Sequence, residues 1–409
     1  MTHLNSTAPD QNQRRSNPAR ARAPVMFPLF CLGGFLLAVA YGTTFLLALL
    51  VLSRGGDEGD TALIFAAATV CTVMAVLGSG HLSDAIGAPR AVGVSGLILG
   101  IGCGGFAMMP GFGPGMLVCG ALLGVGWGTF YTISPIVVAG FTQAGQRTRR
   151  FAMLSGCMMA GIGTGPLLGR LVAQLSLPVE AVFWVAAFAS AAGGLGYLVL
   201  RRGIVRGTTA QGGAGVYRLT RASTLQVLRS DARWPILMVG LGGAVFGGLS
   251  SFQTVYAAVR GLDYAVFFFG FMFAVVAGRL GLAGLVTRQN PYRASVVLTF
   301  LMVLAVLMLL GTAGSWELYL SAAMMLGAGY GLTYSVINGL AANEAPREVV
   351  AQALLLFSLS YFVGVFGFAA VAGKLVALAG VDLLLWATLA IAVLNCGVAL
   401  GRLIARGWR

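Results

Sequence analysis

The feature that most constrains this chain is a succession of apolar stretches, each long enough to cross a bilayer and separated by short charged or Gly/Pro-bearing breaks. They lie at about 26–52, 61–80, 91–109, 115–140, 150–174, 181–200, 235–258, 264–286, 294–312, 317–340, 351–376 and 382–404. Roughly 20 helical residues span the hydrocarbon layer. Lipid offers no partner to an unpaired backbone group, so each stretch has to be a helix. With 58% hydrophobic and 9% charged residues, the chain carries more apolar surface than a water-soluble fold could bury. The expected fold is an all-α membrane protein, twelve transmembrane helices in two six-helix pseudo-symmetric bundles. Its expected divisions are a cytoplasmic tail 1–25, a first bundle 26–200, a basic cytoplasmic linker 201–234, a second bundle 235–404 and a tail 405–409.

The two bundles are expected because the sequence repeats. Gly124, Gly126, Gly128 and Tyr131 recur as Gly327, Gly329, Gly331 and Tyr334, all at an offset of 203. Gly169-Arg170-Leu171 recurs as Gly373-Lys374-Leu375 at 204, and Thr43-Thr44-Phe45 has a counterpart in Ser250-Ser251-Phe252 at 207. Repeats of this length in a polytopic membrane protein point to two bundles that rock about a shared central site. The 60 glycines lie within apolar runs, where small residues let helices approach closely in lipid.

A net charge of +14 would suit nucleic acid in a soluble protein, but here the charges sort by side of the membrane. Twenty-one arginines fall in the two tails, the linker and alternate loops, whereas the other loops hold only Arg54 and Arg260. That bias places both termini and the linker in the cytoplasm. The basic N-terminal stretch leads into a long span without a small-residue cleavage site, so a cytoplasmic start is expected rather than a removed signal. The six cysteines have no paired spacing, and His3 and His81 form no ligand cluster, so neither disulfides, a metal nor another cofactor is expected.

Between the second and third spans lies Gly80-His-Leu82-Ser83-Asp84-Ala-Ile-Gly87-Ala-Pro-Arg90. It resembles the loop signature of the major facilitator superfamily, matching at Gly80, Leu82, Ser83, Asp84, Gly87 and Arg90, with Ala85, Ala88 and Pro89 where basic residues are common. The expectation is that Asp84 starts the third helix and forms a charge clasp with the arginine beyond it. Gly161-Ile-Gly-Thr-Gly165-Pro166 resembles the glycine-proline signature of that superfamily's exporters, although Arg170 replaces the last glycine. The arginine that proton-driven exporters often carry four residues before Gly124 is here Gly120. The resemblance implies a secondary transporter, with Gly165 and Pro166 shaping a gate and a central cavity lined by spans one, four, seven and ten.

On those spans Trp127, Tyr131 and Pro135 follow one face, matched by Tyr330, Tyr334 and Asn338. Facing aromatic lines would suit a flat or amphipathic ligand, though tryptophan and tyrosine also pack between helices or sit at the interface. Tyr41, Thr44, Ser251, Gln253 and Tyr256 join the candidate site from spans one and seven. Arg279 lies within an apolar run, where an ion without a role is costly. It is expected either to bind an anionic substrate group or to pair with Glu344. Arg170 and Lys374 are expected to snorkel to the outer interface. All twelve acids assign to loops or helix ends, so no carboxylate stands at membrane centre, and catalysis has no foothold.

The function expected is a secondary transporter in a bacterial inner membrane, monomeric, moving a small amphipathic or anionic organic molecule by alternating access, in the export direction. Protons are the candidate coupling ion, and the bilayer is the other partner. Uptake of an organic anion or a small, siderophore-like metal chelate is the alternative, and a membrane-embedded sensor or enzyme the remote one.

Overall fold

The computed structural model describes residues 18–142, 146–209, 218–279 and 289–406. Among these, ten helices are long and apolar enough to cross a membrane, and a shorter apolar helix, Tyr264–Ala277, adds another. One of the ten, Arg347–Arg406, is two spans in one. Ala379 leaves helical geometry and Gly380 takes φ +76°, a conformation open to glycine, so the eleventh and twelfth spans meet there with almost no loop. The described residues form no strand, and the all-helical, twelve-span membrane fold is the one expected.

Several boundaries moved. The sixth span runs Glu180–Thr209, into what was expected to be linker, and the linker contains a helix of its own, Arg221–Arg229, capped by Thr220. The end of the eighth span, including Arg288, lies outside the described residues. Asp84 does not start the third span: it sits in the last turn of the second, Glu58–Ile86, and Gly87 at φ +84° is the only break before Ala88–Met108 begins. A carboxylate at a helix C-terminus opposes the helix dipole. Asp84 is met there by Arg218 of the linker and not by Arg90.

The first and seventh spans are each interrupted partway along their length. Pro18–Thr43 passes through a 3₁₀ turn at Thr44–Leu46 into Leu47–Ser53, and Arg233–Ser251 breaks at Phe252 before Gln253–Arg260. Both breaks fall on the repeated pairs Thr43-Thr44 and Ser250-Ser251. Hydroxyls can take backbone carbonyls from the helix ladder: Thr43 Oγ1 donates to Val39 O at 3.0 Å and Thr44 Oγ1 to Tyr41 O at 2.6 Å.

The repeated glycines are where helices touch backbone to backbone. A Cβ at Gly124 would lie 2.3 Å from Ala68 O, and one at Gly327 would lie 2.3 Å from Phe271 O. Gly126 faces Leu99 where Gly329 faces Met302, and Gly128 faces Thr72 where Gly331 faces Val275. Ala68 and Phe271, Thr72 and Val275, and Leu99 and Met302 are all 203 residues apart, as the glycines are, although Leu298 O comes closer to Gly329 than Met302 does, so the second bundle largely repeats the contacts of the first, not merely its hydropathy. The first and fifth spans cross as closely: a Cβ at Gly165 would lie 2.3 Å from Gly42 C and 2.4 Å from Thr43 N. Gly165→Ala is therefore expected to destabilise the protein by roughly 1–3 kcal/mol, as overpacking does. Gly196→Ala, which meets nothing within 4 Å, serves as the tolerated control, and thermal unfolding in detergent compares the two.

Candidate substrate site

The interface between the bundles differs from one end to the other. At the end away from the linker it is sealed by rings that reach across. Phe45 stacks on Phe268 at 5.4 Å and meets Phe246 edge-on at 5.7 Å, and Phe65 packs on Phe252 and Phe366. Arg170 adds an ion pair to Asp263 of the opposite bundle, which corrects the expectation that it merely snorkels; Lys374 is exposed. Such offset and edge-to-face ring pairs contribute about 0.5–1.5 kcal/mol each beyond burial.

Nearer the centre, the Tyr41 ring lies flat on Trp127, 4.3 Å between centroids and 4° between planes. Both side chains are fully buried, so in this structure the two form a packed floor rather than an open wall. The indole Nε1–H of Trp127 nevertheless meets no acceptor, a cost that buried donors seldom bear. One turn further toward the linker end, Tyr131 donates its hydroxyl to Tyr334 Oη at 2.7 Å. These two are the repeat-equivalent tyrosines. A residue that touches its own counterpart must lie on the axis relating the halves, so the pseudo-two-fold axis runs through this hydrogen bond.

Arg279 reaches the same place from the eighth span. It donates to Ser155 of the fifth span, in the other bundle, and through Nε to Gly331 O at 3.3 Å. Its guanidinium carbon stands 5.6 Å from the centroid of the Tyr334 ring, within cation–π range. Every acidic residue except Asp10 is among those described, and none pairs with Arg279. Glu344, the alternative partner expected from the sequence, is instead held by Arg402 and by the Tyr292 hydroxyl. Tyr131, Tyr334, Asn338 and Arg279 are all half-buried, in contrast to the sealed floor, so the polar groups gather on the accessible side of it.

The other expected residues separate from this group. Gln253 Nε2 donates to Tyr319 Oη at 2.6 Å, and the Tyr256 hydroxyl to Leu309 O at 2.6 Å, both inside the second bundle. Thr44 is bonded back to its own helix, and Ser251 is buried at the helix break. Gly165 and Pro166 are buried where the first and fifth spans cross, Gly80 is buried near the end of the second span, and Arg90 is exposed.

Sequence reasoning passed over the eleventh span. Tyr361 stacks on Tyr131 at 5.5 Å, meets Tyr334 edge-on at 5.7 Å and accepts from the Tyr330 hydroxyl at 3.2 Å. Phe366 meets Tyr41 at 5.9 Å. Just after Tyr361, and containing Phe366, Val363–Gly367 forms a π-helical turn, a distortion that often marks functional positions. The available signal was the polar cluster Ser358-Leu-Ser360-Tyr361 within an apolar run.

The fold and an aromatic, polar interface between two bundles are those of a multi-pass membrane transporter, not an enzyme. The family model described as Major Facilitator Superfamily matches residues 29–369, and the chain belongs to that family. No curated protein sequence matches it. Among solved structures it is similar to the human organic anion transporter MFSD10 (TETRAN), with TM-score 0.64, 18% identity, and 94% of this chain and 100% of that one covered. It is also similar to the peptide transporter POT in complex with sulfate, with TM-score 0.70, 19% identity, and 92% and 94% covered.

If the axial hydroxyl pair holds the bundles together, Tyr131→Phe, Tyr334→Phe and the double variant should lose the same increment of stability, about 0.6 kcal/mol for a hydrogen bond in a membrane. A double-mutant cycle by denaturant unfolding checks this; fully additive losses would show that the two hydroxyls act separately.

Proposed function

We propose that this transporter carries a small organic anion with an aromatic or otherwise flat apolar part, by alternating access, with its site beside the Tyr131–Tyr334 pair. The observation that carries this reading is Arg279, a cation at the bundle interface with only neutral partners and a tyrosine face beside it. An arginine left without a counter-charge at membrane depth is costly unless a ligand supplies one. The aromatic floor of Tyr41 and Trp127 would take the flat part of the ligand, with the unsatisfied indole N–H as a donor, and Asn338 would add a polar contact one turn from Tyr334. The similar solved structures are consistent with anion handling: one is described as an organic anion transporter and the other is in complex with sulfate.

In the bacterial inner membrane, with both termini cytoplasmic as the arginine bias implies, the ring-sealed end faces outward and the polar side is reached from the cytoplasm. Together with the Gly165-Pro166 signature, that favours export over uptake of an anion or chelate. Protons are the candidate coupling ion, and the ion pair between Arg170 and Asp263 is the one that joins the bundles at the sealed end.

The test is a thermal-shift screen of the purified protein against small organic anions and cations, followed by flux measurements in proteoliposomes of both orientations. An anion that stabilises the wild type should lose at least tenfold in affinity in Arg279→Ala, as removal of a charge-assisted partner does. Arg279→Lys should fall between, because lysine keeps the charge but not the planar fork. Equal anion flux in Arg279→Ala, or stabilisation by cations alone, would overturn the assignment.

A further inference from the structure

A second cationic site lies away from the bundle interface. At the linker end of the first bundle, a cleft of about 480 Å³ opens between the start of the third span and the end of the sixth. It is lined by Ile86, Pro89, Arg90, Arg201, Arg202 and Val205. None of its three arginines meets a described carboxylate. Asp84, the acid nearest in sequence, is engaged by Arg218. Three guanidinium groups around one cleft repel one another unless an anion joins them.

The surroundings say what kind of anion. On the sixth span Phe188, Leu195, Val199 and Arg202 are spaced i, i+7, i+11 and i+14, which puts them along one helix face. Phe188 is 69% exposed, Leu195 55% and Val199 80%. On the third span Ile101, 64% exposed, stands eleven residues from Arg90 on the corresponding face. In a chain that spans the bilayer, such strips are covered by acyl chains, and here the arginines crown them at the membrane surface. A soluble anion would use only the crown.

We propose that this cleft binds an anionic phospholipid of the surrounding leaflet, its phosphate held by Arg90, Arg201 and Arg202 and its acyl chains lying along the Phe188–Val199 strip. Basic pockets between transmembrane helices are suited to such headgroups. The site does not depend on the transport reading, since none of its residues touches the axial tyrosines or Arg279. A second cleft at the same end, lined by Asp231, Trp234, Arg402 and Arg406 among others, supplies the internal contrast. Its arginines are already paired, with Glu344 and Asp231.

The experiment is native mass spectrometry of the full chain, with thermal unfolding in parallel, titrated with phosphatidylglycerol, phosphatidylcholine or inorganic phosphate. Phosphatidylglycerol is expected to be retained and to stabilise the wild type, and the other two are not. Each arginine at an anionic headgroup accounts for about a fivefold change in affinity. R90Q/R201Q/R202Q should therefore bind about a hundredfold more weakly, while Arg406→Gln in the contrasting cleft changes nothing. Should the triple variant fail to purify, Arg90→Gln and Arg202→Gln, both at exposed positions, should each weaken binding about fivefold. Unchanged phosphatidylglycerol binding in these variants overturns the site. Equal stabilisation by phosphatidylcholine overturns the charge recognition, and equal stabilisation by inorganic phosphate shows a free-anion site instead.

Discussion

The hydrogen bond between Tyr131 and Tyr334 fixes the geometry of the site, because the two tyrosines are the same position of the repeat. Contact between equivalents is possible only on the axis that relates the halves. The polar groups collected around it come from both bundles, Tyr131 and Ser155 from the first and Tyr334 and Arg279 from the second. Tyr361 strengthens the arrangement by stacking on one member of the pair and meeting the other edge-on.

How close the bundles come to this axis is set by glycine. Gly124 and Gly128 lie against the second span, Gly126 against the third, and their counterparts repeat these contacts in the second bundle. Lipid tails are as apolar as leucine, so helices in a membrane gain little from hiding apolar surface from one another and much from close backbone contact. The crossing of the first and fifth spans has the same character. Gly161 approaches Phe35 O, and Gly364, 203 residues on, approaches Gly240 O. That crossing also sits at the 3₁₀ break in the first span, whose freed carbonyls are taken by Thr43 and Thr44. The repeated hydroxyl pairs therefore lie at helix breaks in both bundles.

The spans, the repeat and the axial tyrosines were legible in the sequence because hydropathy and glycine spacing are local properties of each helix. Partners chosen across the bundles were not. The pairing of Arg170 with Asp263, of Asp84 with Arg218 and of Glu344 with Arg402 depends on how helices rotate about their own axes and on where the linker returns, and no local periodicity encodes either. Asp84 was misplaced because the second and third spans are separated by one residue, Gly87, where a loop was expected. Tyr361 was missed because the expected lining took in four spans, and the π-helical turn that brings the eleventh inward is invisible in composition.

Arg279 is where structure and function meet. Without ligand its guanidinium bridges the bundles, one arm on Ser155 and another on Gly331 O beside the axial tyrosine. Both acceptors are neutral, so neither gives the guanidinium a counter-charge. A carboxylate or phosphate entering the site would compete for the same N–H groups with the advantage of charge, and winning them means releasing Ser155. Binding an anion would thereby remove a contact that ties the fifth span to the eighth on the accessible side, and the state favoured is the one in which those spans can move relative to each other. On the proposed reading a single residue would both recognise the ligand and transmit its arrival, which is the differential contact any ligand-driven change of state requires.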